Sequence, residues 1–312
     1  MQQLDRNRLA GLAVVATLAL AGAAAAGVTK QSTSAPDPPD LAFVDTRDGD
    51  AEIYTIRADG SGLRKLTSNR FGDYAPAWAH DGVRIAFSSN RHGNEEIYVM
   101  DADGRNVKRL TRHPGNDLSP AWSPDGRRIA FVRLTDAGPT VLVMNADGTG
   151  VRRLSPKPVR GYGSYSPDWS GAARLIAFSS AYATPENPEI YVVRPNGTGL
   201  ERLTRTKGDA HTLGDDGFPA WSPDGRRIAF TSNRTQDNEI WIMRADGKGQ
   251  RRLAGLRGRD DVGPTWSGDG TRIAFSSRGA GGKSLIYLVG ADGKGLKRLV
   301  AGDDPDWRRP AG

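Results

Sequence analysis

Four aspartates recur at one repeated place. Asp73, Asp117, Asp216 and Asp261 each stand three residues before a proline, in the phrase Asp-x-x-Pro-x-Trp. Asp303 and Asp304 lie near the matching place before Pro305, and Ser164 takes it before Pro167. Carboxylates gathered about one axis would bind a hard cation or a basic group. The same residue type also caps loop backbone with its own side chain, and a repeated loop repeats that use. Both readings stay open from the residues alone. Of the four histidines, His80 and His92 fall in turns, while His113 and His211 fall in longer loops. The segment 207–216, with Asp209, His211, Asp215 and Asp216, is the best place for a metal, although its composition is equally that of a polar loop. No Gly-x-Ser-x-Gly elbow occurs. The nearest text, Gly161-Tyr162-Gly163-Ser164-Tyr165, has its serine displaced. With no cysteine in the chain, a thiol nucleophile, a thiolate metal site and a disulfide framework are excluded. Carboxylate pairs of the glycosidase type stay open, because their spacing depends on the fold.

The elements that must position these groups are read from an internal repeat, which outranks every other signal when present. Full copies read Pro76-Ala-Trp78-Ala-His-Asp81-Gly82, Pro120-Ala-Trp122-Ser-Pro-Asp125-Gly126, Pro219-Ala-Trp221-Ser-Pro-Asp224-Gly225 and Pro264-Thr-Trp266-Ser-Gly-Asp269-Gly270. Pro167-Asp-Trp169-Ser is degraded and Pro305-Asp-Trp307 truncated. Each copy continues into Ile-Ala-Phe, then Ile-Tyr or a relative, then Asp-Gly or Asn-Gly, then Arg-Leu. Pro presets φ, Asp bonds its own backbone and Gly accepts positive φ, so Ser-Pro-Asp-Gly and Ala-Asp-Gly are turns. The β-branched and aromatic runs between them are strands. One repeat is therefore four strands, a (Trp), b (Ile-Ala-Phe), c (Ile-Tyr) and d (Arg-Leu), which is a propeller blade.

Counting from the ends fixes the blade number. Leu41-Ala-Phe43, Ile53-Tyr54 and Lys65-Leu66 supply strands b, c and d before any strand a, and Trp307 supplies a strand a after the last d. The expected fold is all-β: a six-bladed propeller of four antiparallel strands per blade, closed by pairing the C-terminal strand a with the N-terminal strands b–d. Such closure removes open sheet edges. Residues 41–309 form the propeller and 310–312 a tail. Arg6 and Arg8, an uncharged Leu/Ala/Val-rich run and Ala24-x-Ala26 read as a signal peptide over 1–26, with an uncleaved anchor as the alternative. Residues 27–40 read as a flexible tether. The high glycine and proline counts, 39 and 19, belong to the turns. The net charge of +7 is assigned to basic residues on the outer strands d, where they guard exposed edges.

The phrase Pro-x-Trp-Ser-Pro-Asp-Gly-x-x-Ile-Ala-Phe, followed by Ile-Tyr-Val-Met, Asp-Gly and Arg-Leu-Thr, resembles the WD40-like (PD40) repeat of the TolB-like propeller family over residues 41–307. The resemblance implies an envelope-located interaction module. In TolB the propeller binds a peptidoglycan-associated lipoprotein within the Tol–Pal system, and it follows an α/β domain for which only a short tether is available here. The same repeats occur in propellers of prolyl-oligopeptidase-type peptidases and of a pectic-oligosaccharide lyase, so binding and catalysis both lie within its range.

The a–b and c–d turns are short and uniform, whereas the b–c and d–a loops vary, and variation on one face of a rigid scaffold suits recognition. The reading is an exported, periplasmic or extracellular, non-catalytic module, monomeric, binding an envelope protein or peptide on that face around the channel. Its candidate contacts are Asp73, Asp117, Asp216, Asp261, Asp304, His113, Tyr162 and His211. No resident cofactor is expected, a channel-mouth divalent cation being the alternative. Nucleic acid is not an expected partner, and the membrane is one only through a retained anchor. The alternative function is a metal-assisted, carbohydrate-active propeller.

Overall fold

The Ile-Ala-Phe and Ile-Tyr phrases pair as neighbouring antiparallel strands in every repeat of the computed structural model, which describes residues 40–308 except 160, 184–186 and 207–214. The signal, the tether up to residue 39, the tail and His211 lie outside the described residues. Blade 1 contains β1 (Leu41–Asp45), β2 (Glu52–Ile56) and β3 (Arg64–Lys65). Blade 2 is β4 (Asp73–Trp78), β5 (Arg84–Ser89), β6 (Glu96–Asp101) and β7 (Lys108–Arg109); blade 3 is β8 (Asp117–Trp122), β9 (Arg128–Arg133), β10 (Thr140–Asn145) and β11 (Arg152–Arg153). Blade 4 is β12 (Ser164–Trp169), β13 (Ile176–Ser180), β14 (Glu189–Val193) and β15 (Glu201–Arg202). Blade 5 is β16 (Asp216–Trp221), β17 (Arg227–Thr235), β18 (Asp237–Arg244) and β19 (Arg251–Ala254); blade 6 is β20 (Arg259–Trp266), β21 (Arg272–Gly279), β22 (Ser284–Gly290) and β23 (Lys297–Ala301). The final strand, β24 (Asp303–Trp307), returns to β1 and completes blade 1 in the order β24-β1-β2-β3, with Leu41 opposite Trp307 and Val44 opposite Asp303. The described residues thus form six four-stranded meanders, closed at the expected place.

The core lies between blades. The tryptophan of each strand a packs on the previous blade: Trp122 joins Ala86, Ile97 and Leu110, and Trp307 joins Ile286 and Leu288 of blade 6 together with Leu41 and Phe43. Strands b and c are covered on both faces, so β1, β2, β13 and β14 are buried throughout and read as continuous apolar runs rather than alternating ones. The glycine of Ala-Asp-Gly does more than turn the chain. A Cβ on Gly104, already at φ 85°, would stand 2.5 Å from the Leu66 carbonyl oxygen of the previous blade.

Arginines before strand b bind the blades together, a use the sequence reading missed. Arg84 lies over the Trp122 ring at 4.5 Å, Arg128 over Trp169 at 5.1 Å, Arg227 over Trp266 at 4.7 Å and Arg272 over Trp307 at 5.0 Å. Arg308 supplies the same contact to Trp78 at 5.8 Å. The strand d cations are also less free than an edge guard would be. Arg109, Arg202 and Arg252 fold back onto Glu96, Glu189 and Glu239 at 2.6–2.7 Å. The basic excess is therefore only partly a solvated rim.

Candidate functional site

Strand a lines the channel and bends at one point in every blade. The pairing register slips between Tyr74 and Ala77, Leu118 and Ala121, Tyr165 and Asp168, Gly217 and Ala220, and Val262 and Thr265. Each slip is a bulge, which re-aims side chains. The residue before proline takes the left-handed conformation in all six blades: Ala75, Ser119, Ser166, Phe218 and Asp304 at φ 47–50°, and Gly263 at 63°. A side chain pays roughly 1–2 kcal/mol for that conformation, so five of six blades carry strain at the channel wall.

This bend decides which residues reach the channel. The aspartates Asp73, Asp117, Asp216 and Asp261 sit at zero exposure. Asp73 receives Arg91 at 2.9 Å, Asp117 is held bidentately by Arg133 at 2.7 Å, and Asp216 receives Arg234 at 2.7 Å and the Thr206 hydroxyl at 3.0 Å. Asp261 accepts the Leu256 N–H at 2.7 Å. Burial pushes the Asp117 and Asp261 carboxyls above the usual range, and Arg133 opposes the shift at Asp117. Of the two readings, capping describes these four: Asp73, Asp117 and Asp216 are sequestered in ion pairs with arginines and Asp261 on a backbone N–H.

The next residue along faces the mouth instead. Leu118, Tyr165, Gly217 and Val262, with Phe218, line a cavity of about 380 Å³ there. Tyr165 is 42% and Phe218 47% exposed, which is high for large apolar side chains gathered at one opening. The signal was in the sequence: one step from a buried strand residue reverses the side-chain direction, but the bulge hides the phase. A second cavity of about 200 Å³, lined from all six blades, is walled by the prolines and by Asp168, Asp304 and Asp306.

Of the predicted contacts among the described residues, Asp304 lies in the channel, and Asp216, though buried, borders the cavity at its mouth. Water reaches Asp304, yet six blades enclose it; desolvation, reinforced by Asp303, pushes its carboxyl up to about 6. Asp306 and Asp168 are tied to neighbouring blades. Asp306 accepts the Trp78 N–H at 2.7 Å and the Thr265 hydroxyl at 3.1 Å, and Asp168 accepts the Trp221 N–H at 2.6 Å. His113 organises its own loop: its N–H bonds Glu96 at 2.8 Å and its ring Nδ1 accepts the Gly115 N–H at 2.9 Å. Tyr162 exchanges backbone bonds with Val159 at 2.9 Å and is half-buried. The structure does not bring these two to the channel lining. Among the described residues no three histidine or carboxylate groups are placed to hold a metal, and no helix is long and apolar enough to cross a membrane.

The model of the TolB beta propeller domain (PD40) matches residues 72–211 and 165–308. The Tol-Pal system protein TolB of Anaeromyxobacter dehalogenans is 33% identical over 88 residues, 28% of this chain and 18% of that protein, so the match spans under a fifth of the relative's length. The crystal structure of TolB from Acinetobacter baumannii superposes with a TM-score of 0.72 at 20% identity, over 87% of this chain and 67% of that one. An oligogalacturonate lyase from Vibrio parahaemolyticus superposes with a TM-score of 0.57 at 11% identity, over 84% and 74%. Both likenesses are of fold.

Proposed function

We propose that this chain, which belongs to the TolB beta propeller domain family, is an exported, non-catalytic module that captures a protein or peptide of the cell envelope at the mouth of its channel. The observation that carries the reading is the apolar opening formed by Leu118, Tyr165, Phe218 and Val262 on the face of variable loops. Aromatic side chains dominate interface energetics, and exposed patches of this kind mark interaction sites. Phe218 adds a second argument. It is the one bulky apolar side chain among the six left-handed positions before proline, and it stands 47% exposed. The relative's name places TolB in the Tol-Pal system, and an envelope partner is the corresponding proposal here.

The test is site-specific photo-crosslinking in intact cells. A photoreactive residue in place of Leu118 should yield one discrete adduct with an envelope protein, and Phe218→Gly should abolish it. The same probe in place of Val151, on the turn face, should yield none. Equal labelling from both faces, or none from the mouth, would refute the reading.

A further inference from the structure

Blade 4 departs from the other blades at two turns on the face opposite the mouth. Its a–b turn reads Ser170-Gly171-Ala172-Ala173, where blades 2, 3, 5 and 6 carry Asp81, Asp125, Asp224 and Asp269. Its c–d turn carries Asn196, where the other five carry Asp59, Asp103, Asp147, Asp246 and Asp292. Two carboxylates are lost; Arg174 and Arg194 beside them stay, while Leu175 stands where blades 2, 3, 5 and 6 carry Arg84, Arg128, Arg227 and Arg272.

The other blades show what those carboxylates do. Arg84 binds Asp81 at 2.7 and 2.9 Å, and Arg244 binds Asp246 at 2.8 Å. Arg194 holds the place of Arg244 but faces Asn196. Arg174 holds the place of Arg127 and Arg226, beside a turn without an acid. Among the described residues, the side chains of Arg174 and Arg194 make no hydrogen bond or ion pair, whereas Arg128 lies over the Trp169 ring and acts on Asp125 through its charge.

These three arginines line one groove of about 700 Å³ between blades 3 and 4. Its apolar walls are Pro124, Leu175 and Pro195. Asp125 is the one carboxylate on the wall among the described residues, and it already accepts the Ser123 hydroxyl at 2.6 Å and the Arg127 N–H at 3.1 Å. Three arginines, two of them without a polar partner among the described residues, therefore line a concave site against one carboxylate, within the ~300–1,000 Å³ range of small-molecule pockets.

We propose that this groove binds a small oxyanion ligand, a carboxylate- or phosphate-bearing molecule of short-oligosaccharide size. The guanidinium fork matches both oxyanions bidentately, and the proline walls suit a carbon face between charges. The site lies on the opposite face from the proposed partner mouth and stands independently of it.

Titration calorimetry of the full chain at low salt tests the site, with trigalacturonate and inorganic pyrophosphate as separate probes. At least one should bind with a submillimolar Kd that weakens as salt is added. Binding of trigalacturonate alone assigns the site to carboxylates, and of pyrophosphate alone to phosphates. The double variant Arg174→Ala, Arg194→Ala should weaken binding by about tenfold or more. Asn196→Asp restores the acid that other blades carry and should also weaken binding several-fold by occupying Arg194. Arg244→Ala, in blade 5, should change nothing. Absence of binding by both probes at millimolar concentration overturns the proposal, as does equal binding by the Asn196→Asp protein. Retention on anionic lipid vesicles without binding of either soluble probe also overturns it.

Discussion

Removing the last strand should unfasten the ring. Trp307 is 2% exposed and packs against Leu41, Phe43 and Tyr54 of blade 1 and Ile286 and Leu288 of blade 6. Truncating such a side chain to alanine costs about 3–5 kcal/mol. Asp306 ties Thr265 of blade 6 to Trp78 of blade 2, and hydrogen bonds to a charged group contribute about 1.5–3 kcal/mol each. The two effects together reach roughly 6–11 kcal/mol, comparable with the ~5–15 kcal/mol that holds an ordinary domain folded. Deleting residues 303–312 should therefore leave a chain that is unfolded at 37 °C, or one that associates through the exposed edge of β1. Urea melts followed by tryptophan fluorescence read the effect. Trp307→Ala alone should lose about 3–5 kcal/mol. Deleting Gly281, at a hairpin tip where a Cβ would meet nothing within 4 Å, should lose under about 1 kcal/mol. A truncated chain whose melt falls within about 1 kcal/mol of the full chain would refute closure by β24 as the principal fastening.

Two further outcomes follow from the buried and enclosed acids. Arg133→Ala strands the fully buried Asp117 carboxylate and should cost about 3–5 kcal/mol at pH 7, measured by the same melts; a loss below about 1 kcal/mol would show that the pair does not hold the loop. Asp304 has its folded pKa raised to about 6 from 3.8, so its favourable contribution is complete below pH ~4 and is lost as pH rises through ~6. Asp304→Asn should therefore raise Tm at pH 7 relative to the parent and leave the two alike near pH 4. A difference that stays constant over that window would place the strain elsewhere.

The architecture was legible because its signals are local and repeated. Pro-Asp-Gly turns, Ile-Ala-Phe strands and a tryptophan without its partners at each end gave the strand order and the closure directly. The lining was less legible. Asp117 and Leu118 are adjacent in sequence, and only the bulge at Ser119 determines which of them faces the cavity at the mouth. A count of residues from proline locates the ring of positions but not its side-chain phase. The arginine before strand b was visible as text at Arg84, Arg128, Arg227 and Arg272, yet its use depends on the next blade's tryptophan, some 40 residues away in sequence. Periodicity within one repeat carries no information about contacts between repeats.

Repeat symmetry itself then separates scaffold from site. A feature present in every blade, such as the buried tryptophan or the left-handed residue before proline, is explained by the ring, because every blade must meet its neighbours in the same way. A feature present once needs a separate cause. Phe218 is the one bulky apolar side chain among the six left-handed positions, and blade 4 is the one blade without both turn acids. Neither departure is required for closure: Gly263 serves in place of the first, and Asp246 paired with Arg244 serves in place of the second. Phe218 shares its left-handed strain with four other blades, so its departure lies in size and exposure, and the pair that Asn196 forgoes is a solvent-exposed one in blade 5, of little weight for stability. The ring could use its neighbour's residue at each place, so Phe218→Gly and Asn196→Asp should both leave the fold intact while the first abolishes the partner adduct and the second weakens oxyanion binding; a loss of several kcal/mol of stability in either variant would return that residue to the scaffold.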